Sequence, residues 1–253
     1  MDDFLIDYTI HLADNSLILG QRNAEWCGHG PVLEQDIAIT NISLDLIGQA
    51  RNFYQYAATV IGNDATEDSL AYLRKEREFK NCLLVEQPNG DWAQTILRQF
   101  FFSQFQYLLF QNLQNSKDEQ LAAIAEKSLK EVTYHLRWSS EWVIRLGDGT
   151  EESHKRIVNP NKELWRYTGE MFEAVSYELR VASDGIGVDV SKLKDEWLDK
   201  VKEIFNEATL TPPLEGWGGF MQTGGKDGKH TEHLGFILTE LQYMQRAYPN
   251  SEW

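Results

Sequence analysis

The sequence predicts an all-α fold, a bundle of long helices in up-and-down order with further helices attached. Apolar residues recur at 3.6-residue spacing over long segments, and no alternating strand pattern competes with them. Short Gly-, Pro- and Asn-containing turns separate these segments, and four segments exceed twenty residues. No linker, repeat or low-complexity stretch divides the 253 residues, so one domain spanning 1–253 is expected, long enough to bury a sizeable core.

The first helix is expected over about 3–20, broken by QRNAEWCGHGP at 21–31. A long helix follows at about 32–61 and stops at Gly62 and Asn63, and a short charged helix is expected at 68–78. The turn QPNGD at 87–91 leads into an apolar helix at about 91–114. Ser116 with Glu119 three residues on has the capping-box pattern and opens a helix to Leu146, closed by GDG at 147–149. Further helices are expected from Asn161 to Ala182, from Ser191 to about 208, and over 231–247, with a Pro/Gly-rich loop at 211–230.

Composition narrows the function classes. The formal charge is −15, a surface that repels nucleic acid and anionic lipid. No apolar run reaches the roughly 18 residues that span a bilayer. The acidic N-terminus MDDFLIDYTI lacks a basic signal-peptide start, so a cytoplasmic protein is expected. Cys27 and Cys82 lie far apart, which fits a reducing compartment and argues against a disulfide framework or a zinc site. There is no GxSxG, P-loop or Rossmann glycine pattern.

A long-helix bundle invites a test for two metals. Ferritin-like di-iron sites take a Glu from each of two helices and a Glu-x-x-His pair from each of two others. The helix at 92–111 contains no Asp or Glu. Tyr8, Trp26 and Val132 stand three places before His11, His29 and His135, and none is a Glu. Glu151 precedes His154 at that spacing, but just after a Gly-rich turn. No metal ligand is therefore assigned. What is expected from the residues is a long-helix bundle without the ligand pattern of such a site.

Three groups of polar residues still call for a reading. Glu131 and His135, four apart, project onto one stripe with Ile124, Trp138 and Trp142. That spacing can serve one metal, or it can be a buried histidine satisfied by a carboxylate. Asn41, Asp45 and Gln49 form a polar line on the second helix with Glu34, Gly48 and Asn52. It is either a solvated face or an inward network in which Asp45 and Gln49 pair with His135 in place of metal ligands. In GGKDGKHTEH, Lys226, Lys229 and His230 could cradle a phosphate, as in coenzyme A, and His230 with His233 and Asp227 could hold a metal. A plain solvent loop is the alternative. The six aromatics between Phe100 and Phe110 are too many for one core face, so that helix is buried all round or also meets another chain.

Four segments carry a family resemblance: LGQRNAEWCGHGPVLEQDIAITNISLDLIGQARNF at 19–53, LLVEQPNGDWAQTILRQFFF at 83–102, KEVTYHLRWSSEWVIRLGDGT at 130–150 and TGGKDGKHTEHLG at 223–235. The chain resembles, essentially end to end, the C subunits of bacterial phenylacetyl-CoA oxygenase (ring epoxidase) complexes. GWGGFMQ at 216–222 is more individual. The resemblance implies a ferritin-like fold and a metal-free, structural partner of a catalytic A subunit. That A subunit holds the di-iron centre, adds one oxygen atom to the ring of phenylacetyl-CoA, and is fed by NADPH through a separate reductase subunit. The resemblance also implies that Gln49 stands where catalytic relatives have a ligand His, and Val132 where they have a ligand Glu. Two alternatives stand beside it: an independent metalloenzyme using Glu131, His135 and unusual ligands, and a helical interaction protein unrelated to oxygenation.

Overall fold

The computed structural model describes residues 2–213, 221–249 and 251; most of GWGGFMQ and the closing Trp253 lie outside them. The fold is all-α and of the long-helix, ferritin-like class, with no strand among the described residues. The α-helices are α1 (Asp2–Ala24), α2 (Leu33–Ile61), α3 (Leu83–Glu86), α4 (Trp92–Leu113), α5 (Glu119–Gly147), α6 (Glu151–Trp165), α7 (Ser176–Ser183), α8 (Lys194–Glu207), α9 (Glu232–Leu241) and α10 (Tyr243–Ala247). They divide between two compact units, 1–86 with 224–253 and 87–223. The second unit is thus inserted into the first between Glu86 and Gly224. No linker-like composition marks the crossings.

In the first unit α1 and α2 form an antiparallel pair. Ser43 Oγ donates to the Gly20 carbonyl at 2.6 Å, while Tyr54 reaches Asp14 farther along. A Cβ at Gly20 would stand 3.2 Å from Leu46 Cβ, so the small residue sets the closest approach of the two helices. α1 runs to Ala24, four residues past the expected break, because Arg22 and Asn23 are buried and the chain cannot turn until they are placed.

The charged helix expected at 68–78 does not form. A π-turn at Ser69–Leu73 and a 3-10 turn at Glu76–Glu78 flank an extended Arg74. The Arg74 guanidinium bonds the Leu70 and Glu78 carbonyls and the Asp14 carboxylate, and those long-range partners override the local helical pattern. At the other end Gln242 splits the expected last helix into α9 and α10, its amide donating to the Ala71 and Arg74 carbonyls at 3.2 and 3.0 Å.

In the second unit α4 is buried almost all round, with Phe100, Phe101, Phe102, Phe105 and Phe110 all enclosed. Asp91 caps it, accepting from the Gln94 amide. α4 and α5 run antiparallel: Trp92 at the start of α4 meets Trp138 and Trp142, late in α5, edge-on at 6.0 and 5.9 Å. The cap of α5 is Asp118, which accepts from the Leu121 amide at 2.9 Å. Ser116, the expected cap, instead donates to the Ile186 carbonyl at 2.6 Å.

The helix expected at 161–182 is also different. α6 starts at Glu151, where Thr150 and Ser153 bond each other's backbone amides at 3.1 and 2.9 Å. It carries Pro160 inside, with only the donor to the Arg156 carbonyl lost. The remainder is a 3-10 turn at Gly169–Phe172 and the short α7. Gly147 is required by close packing, since a Cβ there would fall against the Ala208 carbonyl oxygen.

Candidate functional site

The polar line on α2 lies on a border rather than on one face. Residues 39, 42, 46 and 53 turn into the core, while 33, 37, 44 and 47 turn to solvent. Asn41, Asp45 and Gln49 fall between these two stripes by the 3.6-residue repeat. Asn41 is accordingly exposed, Asp45 half-buried and Gln49 buried. An exposed amide takes its hydrogen bonds from water, so Asn41 has a solvated position and Gln49 an enclosed one.

On α5, His135 is fully buried on a stripe with Ser128, Val132, Ser139 and Val143, and Glu131 sits half-buried at its edge. Gln49 and Asp45 belong to the first unit and His135 to the second. Replacing His135 by Ala is expected to cost on the order of 1–3 kcal/mol, since a buried ring and its polar contacts are lost together. A urea melt that matches the parent would show the ring is not held.

The GGKDGKHT loop has a structural job. Lys226 is buried, Lys229 exposed, and the His230 side chain fully enclosed. Both His230 ring nitrogens are engaged, Nδ1 with Glu86 Oε2 and Nε2 with the Phe79 carbonyl oxygen, each at 2.9 Å. That leaves no nitrogen for a phosphate or a metal. Grooves of about 510 and 600 Å³ on this unit are lined by Tyr72, Leu73 and Tyr248, and by Lys75, Tyr243 and Arg246; neither includes Lys226, Lys229 or His230.

Sequence reasoning missed the strongest polar cluster. Asp14, fully buried on α1, accepts from Tyr54 Oη, from both Arg74 terminal nitrogens, and from the Lys80 amide at 2.7 Å. Burial and the Asp14 charge push the Tyr54 phenol well above its usual range. Burial opposes the Arg74 charge, but Asp14 and Tyr54 outweigh it and the guanidinium is held more firmly charged than usual. Phe79 lies under the Arg74 guanidinium at 4.1 Å. The partners are 40, 60 and 66 residues apart in sequence, so no local motif announces them.

Among the described residues no three His, Cys, Asp or Glu side chains gather as ligands. Of the two positions singled out by the resemblance, Val132 presents a buried alkyl group and Gln49 a neutral amide.

With that geometry in place, the comparisons are specific. A family model described as "Phenylacetic acid catabolic protein" matches residues 1–253. The chain belongs to this family. A curated relative from Escherichia coli (strain K12), named as the C subunit of 1,2-phenylacetyl-CoA epoxidase, is 49% identical over 249 residues, covering 98% of this chain and 99% of the relative. Family membership thus spans both units, including the segments that hold Asp14, Arg74, Glu86 and His230.

Proposed function

We propose that this chain is the non-catalytic structural subunit of a phenylacetyl-CoA epoxidase complex in aerobic phenylacetate breakdown in the cytoplasm. It supports a di-iron catalytic A subunit that receives NADPH electrons through a separate reductase, and it meets phenylacetyl-CoA only indirectly. The observation that carries this reading is the outer stripe of α2. Leu33, Ile37, Leu44 and Ile47 are 71, 51, 62 and 38% exposed in one row along the helix. An exposed aliphatic row, interrupted at Thr40, on so acidic a chain is the kind of surface that a partner protein covers. The relative's name, which makes it one subunit of an epoxidase, and the alkyl and amide groups at Val132 and Gln49 support the same reading. Among the described residues no helix is long and apolar enough to cross a membrane.

The test is co-expression with the A subunit, followed by size-exclusion chromatography and metal analysis of each chain. The expected result is co-elution with iron in the A subunit alone. Placing Asp at both Ile37 and Leu44 should weaken association at least about thirtyfold, the effect of losing about 2 kcal/mol at an interface. The isolated chain's melt should move by no more than about 0.5 kcal/mol per site, since both residues are exposed. Two irons retained per isolated chain after dialysis, or unaltered association of the variant, would sink the proposal.

A further inference from the structure

We propose that His230 is held as an imidazolium and acts as a pH-sensitive tie, fastening the returning segment of the first unit at acid and neutral pH and releasing it as pH rises. The inference goes beyond the subunit role and does not depend on it. It starts from two ring nitrogens that both face oxygen acceptors, the Glu86 carboxylate and the Phe79 carbonyl, each at 2.9 Å. A neutral imidazole carries one N–H and one bare nitrogen, so it can satisfy only one of them. Doubly protonated, it donates to both.

The surroundings of Glu86 agree. Its Oε1 accepts from the Thr231 amide and the Thr231 hydroxyl, both at 2.7 Å, and its Oε2 from Asn81 Nδ2 at 2.9 Å. Both side chains of the pair are fully enclosed, and a buried carboxylate needs a cation beside it. Among the other charged groups nearby, Asp14 also favours the His230 charge. Arg22 of α1 bonds the Glu86 carbonyl and Glu25, Arg74 bonds Asp14, and Lys80 pairs through its ammonium with Asp7. Lys226, on the same loop, is also buried, while Asp227 is exposed.

The position of the tie gives it leverage. The chain leaves the first unit at Glu86 and re-enters it at Gly224. Residues 230 and 231 therefore clamp the return of the chain directly onto its point of exit. The loop before them is held largely by backbone contact. Gly224 and Gly228 have φ of 131° and 76°, and a Cβ at Gly225 or Gly228 would strike the carbonyl oxygen of Asn81 or Arg77. Burial lowers the affinity of His230 for its second proton, but the hydrogen bond and charge of Glu86 and the Phe79 carbonyl outweigh burial, and the net shift is upward from 6.5. The sign follows. A raised folded-state value means the stabilisation is complete below 6.5 and disappears as pH rises through the raised value.

Two measurements on the full-length chain test this. ¹⁵N-histidine NMR, with the residue 230 resonances assigned through the backbone, should show both ring nitrogens protonated at pH 7. Hydrogen exchange corrected for its intrinsic pH dependence should show the opening of peptides from 224–241 rising by up to about tenfold per pH unit between 6.5 and the raised folded-state value, and levelling off above it. Peptides from α4 and α5 should stay flat, and His230→Gln should abolish the slope. A singly protonated His230 ring at pH 7, or a slope that survives in His230→Gln, would overturn the proposal. Should His230→Gln fail to fold, the NMR titration of the parent chain decides alone.

Discussion

Replacing Asp14 by Ala is expected to destabilise the first unit by about 3–5 kcal/mol, the range found when one partner of a buried ion pair is removed. Asp14 receives four donors from three directions: Tyr54 on α2, the two Arg74 terminal nitrogens, and the Lys80 amide. Its loss leaves a buried guanidinium without its counter-charge and a buried hydroxyl without its acceptor. Each then lacks a partner that burial makes costly to lose. Arg74 cannot swing to solvent cheaply, because its Nε and Nη1 also bond the carbonyls of Leu70 and Glu78, and those bonds shape the π-turn and 3-10 turn around it. Asp14→Asn keeps the size and some of the hydrogen bonds but removes the charge, so it should fall between parent and Asp14→Ala. Urea unfolding, with exchange protection read separately in α1 and α2, measures the effect. Asp14→Ala within about 1 kcal/mol of the parent would show that Arg74 finds another anion or reaches water. Adding Arg74→Met to Asp14→Ala should recover part of the loss, because the stranded charge is then gone.

The long helices are legible in the sequence because their evidence is local. Apolar periodicity over α2, α4 and α5 needs no distant partner to be read, and the start of α4 and the end of α2 sit within two residues of their expected positions. The elements that differ are set by residues far away in the chain. Arg74 breaks a helical pattern in order to reach Asp14, Gln242 splits another to reach carbonyls at 71 and 74, and Ser116 gives up a cap to bond Ile186. Pro160 misleads in the opposite way. It reads as a natural boundary, yet one missing donor is tolerable inside a helix that begins with a sound cap at Thr150. The polar residues show the same division. His135 is buried as helical spacing predicts, because spacing reports facing, whereas spacing leaves the line of Asn41, Asp45 and Gln49 open and the structure spreads it from exposed to buried. The Asp14 cluster and the Glu86–His230 tie are invisible at that level, because their members come from five separate stretches of sequence.

The second unit is expected to depend most on Trp197, and Trp197→Ala should cost about 3–5 kcal/mol, the range for removing a large buried aromatic. Trp197 is fully buried on α8, with its ring centroid 5.8 Å from Phe101, 5.8 Å from Trp165 and 5.4 Å from Phe172. Its indole nitrogen donates to the Phe101 carbonyl of α4 at 3.0 Å. One side chain thus joins α8 to α4, α6 and the 169–172 turn, and these neighbours cannot all close over the void it would leave. Trp197→Phe separates the two contributions: it fills most of the space but cannot donate, so it should lose only about 1–2 kcal/mol. Melts of both variants, with exchange protection followed in α4 and α8, provide the measurement. A Trp197→Ala protein as stable as Trp197→Phe would mean that the hydrogen bond, not the packing, anchors α8. The same cluster bears on function. α4 carries no Asp or Glu, and Phe100, Phe101, Phe102 and Phe105 occupy its sides against the surrounding helices. A helix filled in this way brings no carboxylate and turns aromatic rings toward its neighbours instead. On the role proposed above, what α4 would provide is a stiff aromatic core, which holding a partner in place needs more than it needs a cavity.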